Sequence, residues 1–152
     1  MVPVGVRRPL LLHAAVLIVA SAGLLGCSGR TAKLPRVTGK VTVDGAPADG
    51  ASLLFFTPGQ QGGIVPSANC DASGAFEIIS SAQPGIALGT YKVTVVWPDP
   101  AKRPSPEKAF AGNAEDPPDL LGGRYGVSGK SPLTAEITAA TKQLPVFELS
   151  AK

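Results

Sequence analysis

The chain has 152 residues, with 14 Lys and Arg, 11 Asp and Glu and a single histidine, His13. Outside residues 1–26 it carries 12 basic and 11 acidic residues and no histidine, which excludes a Ser-His-Asp or Cys-His nucleophilic site and any histidine metal ligand from that part of the chain. The near-neutral balance gives no support to nucleic-acid binding, which needs a clustered basic face.

The first 26 residues follow the pattern of a secretory signal peptide. Arg7 and Arg8 give a positively charged start, residues 10–20 form an almost entirely apolar run, and small residues follow at 21–23. The run is too short to cross a bilayer, because that takes about 20 apolar residues. A short apolar run between a charged start and small residues is typical of an export signal, so we expect a signal helix that is cleaved off.

The residues that end this signal are more specific. Residues 24–27, with the sequence LLGC, resemble the bacterial lipobox, in which an apolar, a variable and a small residue precede a cysteine. The resemblance implies cleavage between Gly26 and Cys27, a diacylglyceryl group on the Cys27 sulfur and a further acyl chain such as palmitate on the new amine. Because each buried methylene contributes about 0.8 kcal/mol, two or three chains would hold the protein at a membrane. The alternative is a secreted protein whose Cys27 is free or disulfide-bonded.

The remainder of the chain reads as a tether and one domain. We predict that residues 27–36 form a flexible tether, because they are polar and show no periodicity. Residues 37–152 are enough chain for one domain with a single core. Within them, apolar and β-branched residues alternate with polar ones in short runs separated by turn signals, as is typical of strands. The predicted strands are residues 37–43, 51–57, 64–70, 75–80, 90–97, 132–138 and 144–149.

These runs predict the architecture. Asp44 and Gly45 follow the first run and form a strong hairpin signal. Residues 51–57 are apolar on both faces, which favours a strand that lies centrally in a sheet or packs under a loop. The 18 glycines and 15 prolines favour turns over helices. Seven short strands with no helix after the signal predict an all-β protein, a single antiparallel seven-stranded β-sandwich, with a small barrel as the alternative.

A long segment at residues 98–123 interrupts the strand pattern. It holds six prolines and charges of both signs. A long loop of this kind is usually either functional or disordered. Arg124 and Tyr125 come directly after this segment, and we expect them to lock it back to the sandwich.

Three motifs resemble those of one family of small domains. The family's strand-and-turn opening resembles VTGKVTVDGAP at residues 37–47, and its D-x-x-G-x-F hairpin resembles DASGAF at 71–76. Its G-x-Y-x-V-x-V strand resembles GTYKVTV at 89–95. The family is that of carboxypeptidase regulatory-like domains. Residues 131–149 are similar to the end of small planctomycete-type lipoproteins that carry this domain. The resemblance implies a transthyretin-like sandwich with Greek-key connections and a non-catalytic role in folding, adhesion or ligand contact. Cys70 and the long loop depart from the family pattern.

Trp97 is the candidate ligand contact. It ends the best predicted strand and precedes Pro98, so it either caps the edge of the core or lies exposed, as aromatic residues do at the rim of many sugar-binding sandwiches. Tyr91 lies in the same strand, and we predict a core or corner tyrosine there rather than a platform for a ligand.

The long loop holds the only acidic cluster, which consists of Glu115, Asp116 and Asp119. Paired carboxylates can perform acid–base catalysis. In a Pro-rich loop, however, such a cluster is more typical of a solvated stretch.

Three further residues have a reactive and an ordinary interpretation. Asp44 and Asp71 could contribute oxygens to calcium, but each lies in a turn in which aspartate already binds the local backbone. Cys70 has no histidine to lower its pKa, so we predict a small buried residue rather than a nucleophile.

Together these patterns predict a lipid-anchored, non-catalytic protein of the cell envelope, with no metal and no cofactor. It would be held at a membrane through Cys27 and would face the periplasm or lie in the outer membrane, which Ser28 favours by analogy with diderm lipoproteins. Its partner would be a carbohydrate or another envelope protein. One alternative is a structural envelope component that self-associates through edge strands. A less favoured alternative is an envelope enzyme that uses carboxylates alone.

Overall fold

The structure is a computed structural model that describes residues 33–60, 62–112 and 115–152. The predicted signal peptide, the lipobox with Gly26 and Cys27, and the first part of the predicted tether lie outside the described residues. No helix within the described ranges is long and apolar enough to cross a membrane.

Contacts with the domain begin inside the predicted tether. The carbonyl oxygen of Pro35 accepts a hydrogen bond from the backbone N–H of Ile86 at 3.1 Å. Arg36 lies 3.8 Å from the Glu77 carboxylate. The last residues of the segment are therefore part of the domain, which starts slightly earlier than residue 37.

Ten short strands, one short helix and one 3-10 turn form the described part of the chain. The strands are β1 (Thr38–Val43), β2 (Ala46–Pro47), β3 (Ser52–Phe56), β4 (Ser67–Asn69), β5 (Ala75–Glu77), β6 (Ile79–Ser80), β7 (Gln83–Pro84), β8 (Gly89–Val96), β9 (Thr134–Ile137) and β10 (Phe147–Leu149), and the helix is α1 (Pro106–Phe110). The protein is all-β as predicted, with ten strands in place of seven. The prediction of no helix after the signal is wrong, because Pro100–Lys102 forms a 3-10 turn and α1 follows it within the long loop. Both elements carry a proline in the first turn, where its fixed φ suits a helical start.

The strands form two sheets. In the four-stranded sheet, β1 pairs with β10 along one side and with β5 and β2 along the other. The six-stranded sheet has the order β7-β6-β4-β3-β8-β9, and all of its neighbours are antiparallel. β10 runs parallel to β1, so the prediction of a wholly antiparallel arrangement is wrong at this pair. The parallel direction arises because the chain leaves β9 at the end where β8 begins and reaches the start of β1 at Gln143, so β10 then runs in the same direction as β1.

One predicted strand changes sheets halfway. Residues 75–80 divide into β5, which pairs with β1, and β6, which pairs with β4. Ile78 lies between them, fully buried, and its N–H donates to the Val37 carbonyl oxygen at 3.0 Å. This crossing accounts for part of the larger strand count.

The two sheets share one core. Phe76 of β5 lies between Phe55 of β3, at a ring centroid distance of 6.4 Å, and Phe147 of β10, at 6.3 Å. Tyr91 is buried as predicted, and its hydroxyl donates to the Ala87 carbonyl oxygen at 2.9 Å. β3 lies centrally in the six-stranded sheet, as predicted for residues 51–57, although Leu54 on its outer face is 40% exposed.

The strand register gives the domain two opposite ends. At the first, called the tether end, β1 and β8 both begin, beside Pro35. At the second, called the loop end, β1 and β8 both finish, and the indole N–H of Trp97 donates to the Asp49 carbonyl oxygen at 3.1 Å. The long loop therefore leaves the domain at the end opposite to the one where the tether joins it.

Candidate functional site

Trp97 closes the core at the loop end. The side chain is partly buried and packs against the core, and its only polar atom is satisfied by Asp49. Pro98 follows directly and has no N–H to continue the ladder of β8. Trp97 therefore has the first of its two predicted roles, a cap on the edge of the core. Its predicted contact with a ligand stays a prediction.

Asp119 holds the base of the long loop against Trp97. One carboxylate oxygen accepts from the backbone N–H of Trp97 at 2.9 Å and from that of Leu121 at 3.0 Å, and the other accepts from Gly123 at 2.8 Å. The backbone N–H of Leu120 returns a bond to the Trp97 carbonyl oxygen at 2.9 Å. Leu121 is fully buried. The base of the loop is therefore built into the domain.

Arg103 holds the first part of the loop against Asp49, the residue that also accepts the indole N–H of Trp97. One guanidinium nitrogen donates to the Asp49 carbonyl oxygen at 2.8 Å and lies 3.6 Å from the Asp49 carboxylate. Gly50 makes this approach possible, because a Cβ at that position would collide with the guanidinium, and its φ of +74° is one that glycine adopts readily. Both charged side chains are 44% exposed, so the ion pair itself contributes little stability.

Trp97, Arg103 and Asp49 together form what we call the loop-end cluster. It places an indole, a guanidinium and a carboxylate around one backbone carbonyl at the surface of the domain. Arg103 uses one nitrogen in this contact, and a guanidinium has five N–H donors in all. The cluster can thus offer further donors, a carboxylate acceptor and aromatic surface to a polar ligand.

Arg124 and Tyr125 lock the end of the loop to the domain, as predicted. The Tyr125 carbonyl oxygen accepts from the Val95 N–H at 3.0 Å. The Arg124 guanidinium donates to the Ser150 carbonyl oxygen at 3.1 Å, and the Tyr125 hydroxyl accepts from the Ser150 N–H at 3.4 Å. These bonds tie the chain to β8 and to the residue after β10.

The members of the acidic cluster lie in two different environments. Asp119 accepts three backbone hydrogen bonds, whereas Glu115 and Asp116 are exposed. Among the described residues, no three His, Cys, Asp or Glu side chains come together in a group that could hold a metal ion.

Asp71 has the local role that its turn predicts, whereas the carboxylate of Asp44 bonds a distant part of the chain. One Asp71 oxygen accepts from the Ser73 N–H at 2.8 Å and from the Ser73 hydroxyl at 2.7 Å, and these bonds hold the pKa of Asp71 below its usual value. Asp44 lies in the turn between β1 and β2 with a φ of +48°, and its carboxylate accepts from the Ala151 N–H at 3.3 Å.

Cys70 is buried, as predicted. Burial raises the pKa of its thiol to about 12, and the negative charges of Asp71 and Asp49 add to the effect. The neutral thiol therefore dominates near neutral pH, and Cys70 lacks the thiolate that a nucleophile needs.

Sequence reasoning named Trp97 but missed its partners. Asp119 appeared only as a candidate catalytic acid, and nothing in the sequence links Arg103 to Asp49, which lies 54 residues away. The turn residues Asp49 and Gly50 were the one available signal, since a turn at that place brings a backbone carbonyl to the surface.

No protein-family model matches this chain, and no curated protein matches it. The resemblance to carboxypeptidase regulatory-like domains therefore stays a prediction. The three motifs that carry it form the β1–β2 hairpin, the turn into β5, and most of β8.

Proposed function

We propose that this protein is a lipid-anchored, non-catalytic binding module of the cell envelope, with a transthyretin-like Greek-key sandwich whose loop-end cluster contacts a carbohydrate or another envelope protein. The LLGC sequence at residues 24–27 supports the anchor. We expect the protein to be anchored so that it faces the periplasm, or to lie in the outer membrane.

The position of the loop-end cluster is the observation that carries this proposal. The tether joins the domain beside Pro35, whereas Trp97 and Arg103 meet Asp49 at the opposite end. A module that is held through its tether presents this opposite end to its surroundings. Loops on a rigid β scaffold are also where binding residues are most often found.

Self-association through sheet edges has weaker support. β7 has two residues and contains Pro84, and β10 has three residues and follows Pro145 closely. Short strands and edge prolines discourage edge-to-edge pairing. The carboxylate-only enzyme also has weaker support, because Asp119 is occupied by backbone N–H groups.

The binding role is tested by a screen against glycans and envelope fractions, using soluble protein that starts at Ser28. Wild type is compared with Trp97→Ala, Trp97→Phe and Arg103→Gln. Because Trp97 packs against the core, Arg103→Gln is the variant expected to lose binding while it keeps the fold. Lys108→Gln, in the exposed helix α1, is the matched control and keeps binding.

Binding to a glycan or to an envelope protein by wild type and Lys108→Gln, but not by Arg103→Gln, supports the proposal and identifies the partner class. Equal binding by folded Arg103→Gln and Trp97→Phe places the contact elsewhere and refutes the cluster. For the anchor, Cys27→Ala should lose labelling by a radioactive fatty acid and appear in the soluble fraction.

A further inference from the structure

The charges of the domain are divided unequally between the tether end and the rest. The tether end carries four basic residues against two acidic ones, namely Lys33, Arg36, Lys92 and Lys142 against Glu77 and Glu136. The rest of the described domain carries nine acidic residues, among them all six aspartates, against seven basic ones, namely Lys40, Lys102, Arg103, Lys108, Arg124, Lys130 and Lys152. The tether end therefore has a net charge of +2, and the rest of the described domain has a net charge of −2.

The basic side chains of the tether end are available to solvent. Lys33, Lys92 and Lys142 are exposed, and none of the three belongs to an ion pair within the described residues. Arg36 is paired with Glu77 at 3.8 Å, but their side chains are 63% and 41% exposed, so water and salt screen the pair.

From this arrangement we propose that the tether end is a membrane-facing surface that binds anionic lipid headgroups and holds the loop-end cluster away from the bilayer. This inference rests on the proposed lipid anchor at Cys27. Lysine and arginine close to an anionic leaflet are attracted to it, and the attraction falls off within about a Debye length, roughly 8 Å at physiological salt. The rest of the domain, with its net charge of −2, is not attracted to the same surface.

The length of the tether leaves the orientation to the charges. Eight peptide steps separate Cys27 from Pro35, where the chain joins the domain, and an extended chain covers at most about 3.6 Å per step, or about 29 Å in total. β8 covers seven steps between the two ends, which is about 24 Å at 3.4 Å per step. The tether alone therefore does not decide which end faces the bilayer, and the net charge of the tether end favours the upright position.

Trp97 is the only tryptophan in the chain and reports directly on this orientation. Full lipidated protein is reconstituted into vesicles of phosphatidylcholine alone and into vesicles of equimolar phosphatidylcholine and phosphatidylglycerol. Both contain a small amount of lipid with a dansyl group on its headgroup, and energy transfer from Trp97 to dansyl is measured. We expect less transfer in the anionic vesicles, because Trp97 is held further from the surface, and loss of this difference at high salt.

Charge-reversal variants make the test specific. The double variant Lys92→Glu with Lys142→Glu should show the same transfer in both lipids. The matched variant Lys102→Glu with Lys108→Glu, in the long loop, should keep the difference. Equal or greater transfer for wild type in anionic vesicles refutes the proposal, as does loss of the difference in the loop variant.

Flotation of the same vesicles separates this inference from the anchor. Protein that fails to float with neutral vesicles refutes lipid anchoring itself. Protein that floats with both kinds of vesicle, but shows no lipid-dependent transfer, refutes only the membrane-facing role of the tether end.

Discussion

The carboxylate of Asp119 accepts a hydrogen bond from the backbone N–H of Trp97, at 2.9 Å and across 22 residues of chain. The same carboxylate accepts the backbone N–H groups of Leu121 and Gly123. A single side chain thus joins the end of β8 to the returning end of the long loop. The position of Trp97 in the loop-end cluster depends on this join.

Removing the carboxylate should loosen the loop without unfolding the sheets. We expect Asp119→Ala to lower the free energy of unfolding by about 2 kcal/mol, because hydrogen bonds to charged groups contribute about 1.5 to 3 kcal/mol and this carboxylate is partly exposed. Urea unfolding measures the loss, and hydrogen exchange should show faster exchange at Trp97, Leu121 and Gly123.

Asp116→Ala is the matched control for this change. Asp116 is exposed and lies in the same loop, so its replacement should change stability by less than about 0.5 kcal/mol. Equal effects of the two variants would show that Asp119 does not hold the loop.

Gly39 of β1 is required by the aromatic core. A Cβ at this position would overlap the ring of Phe76, which is itself packed between Phe55 and Phe147. We expect Gly39→Ala to destabilise the domain by about 1 to 3 kcal/mol, the usual range for an overpacked core. Thermal unfolding followed by circular dichroism measures the change.

Gly129→Ala is the control for Gly39→Ala, because a Cβ at Gly129 meets no atom within 4 Å. Its midpoint should stay close to that of wild type. If Gly39→Ala also unfolds at the wild-type temperature, the Phe76 ring has room to move and the close packing around Gly39 is refuted.

Much of the fold follows from alternation in the sequence. Val41 and Val43 in β1, and Val93 and Val95 in β8, are buried where a period of two places them. That period does not reveal which sheet a strand joins. The alternation in residues 75–80 continues unbroken through Ile78, although the chain leaves one sheet there and enters the other.

The sequence pattern also does not indicate strand direction or the geometry of the turns. Alternation in β10 is the same whether it runs parallel or antiparallel to β1. β7 consists of Gln83 and Pro84, which have no strand preference of their own and pair only because the turn before them closes a hairpin. The loop-end cluster joins positions about 50 residues apart, and a pattern confined to a short window cannot predict such contacts.

The hairpin between β6 and β7 uses unfavourable turn residues. Ser81 and Ala82 form its two-residue loop, and both have positive φ, 50° and 61°. Turns of this type prefer Asn-Gly, because side chains other than those of Gly, Asn and Asp are strained there. We expect Ser81→Asn with Ala82→Gly to raise the free energy of unfolding by about 1 to 2 kcal/mol, the strain that left-handed backbone imposes on ordinary residues.

In the hairpin between β1 and β2, a favourable turn glycine can be replaced by an ordinary residue, which is the reverse of the preceding change. Its loop is Asp44 and Gly45, and Gly45 has a φ of +84° with no atom within 4 Å of an added Cβ. Gly45→Ala should therefore lose stability through backbone strain alone. The urea midpoint should rise for the double variant Ser81→Asn with Ala82→Gly and fall for Gly45→Ala. A shift of both midpoints in the same direction would refute the role of turn conformation.

Burial of Cys70 should make the domain sensitive to alkali. The pKa of its thiol is raised from 9.0 to about 12 in the folded protein, so the folded state favours the neutral thiol and the unfolded state loses its proton first. The contribution to stability is complete below pH 9 and is lost as the pH rises towards 12. We expect the urea midpoint of wild type to fall across this range.

Cys70→Ala and Cys70→Ser isolate the effect of the thiol, because neither replacement ionises in this range. The two variants should differ from each other in absolute stability, since one leaves a small void and the other buries a hydroxyl. Both should nevertheless lose less stability than wild type between neutral pH and pH 11. Some alkaline loss should remain in both, because burial also raises the pKa of Tyr91. If wild type and both variants fall by the same amount, Cys70 does not titrate with folding, and the alkaline sensitivity belongs to Tyr91 and other groups.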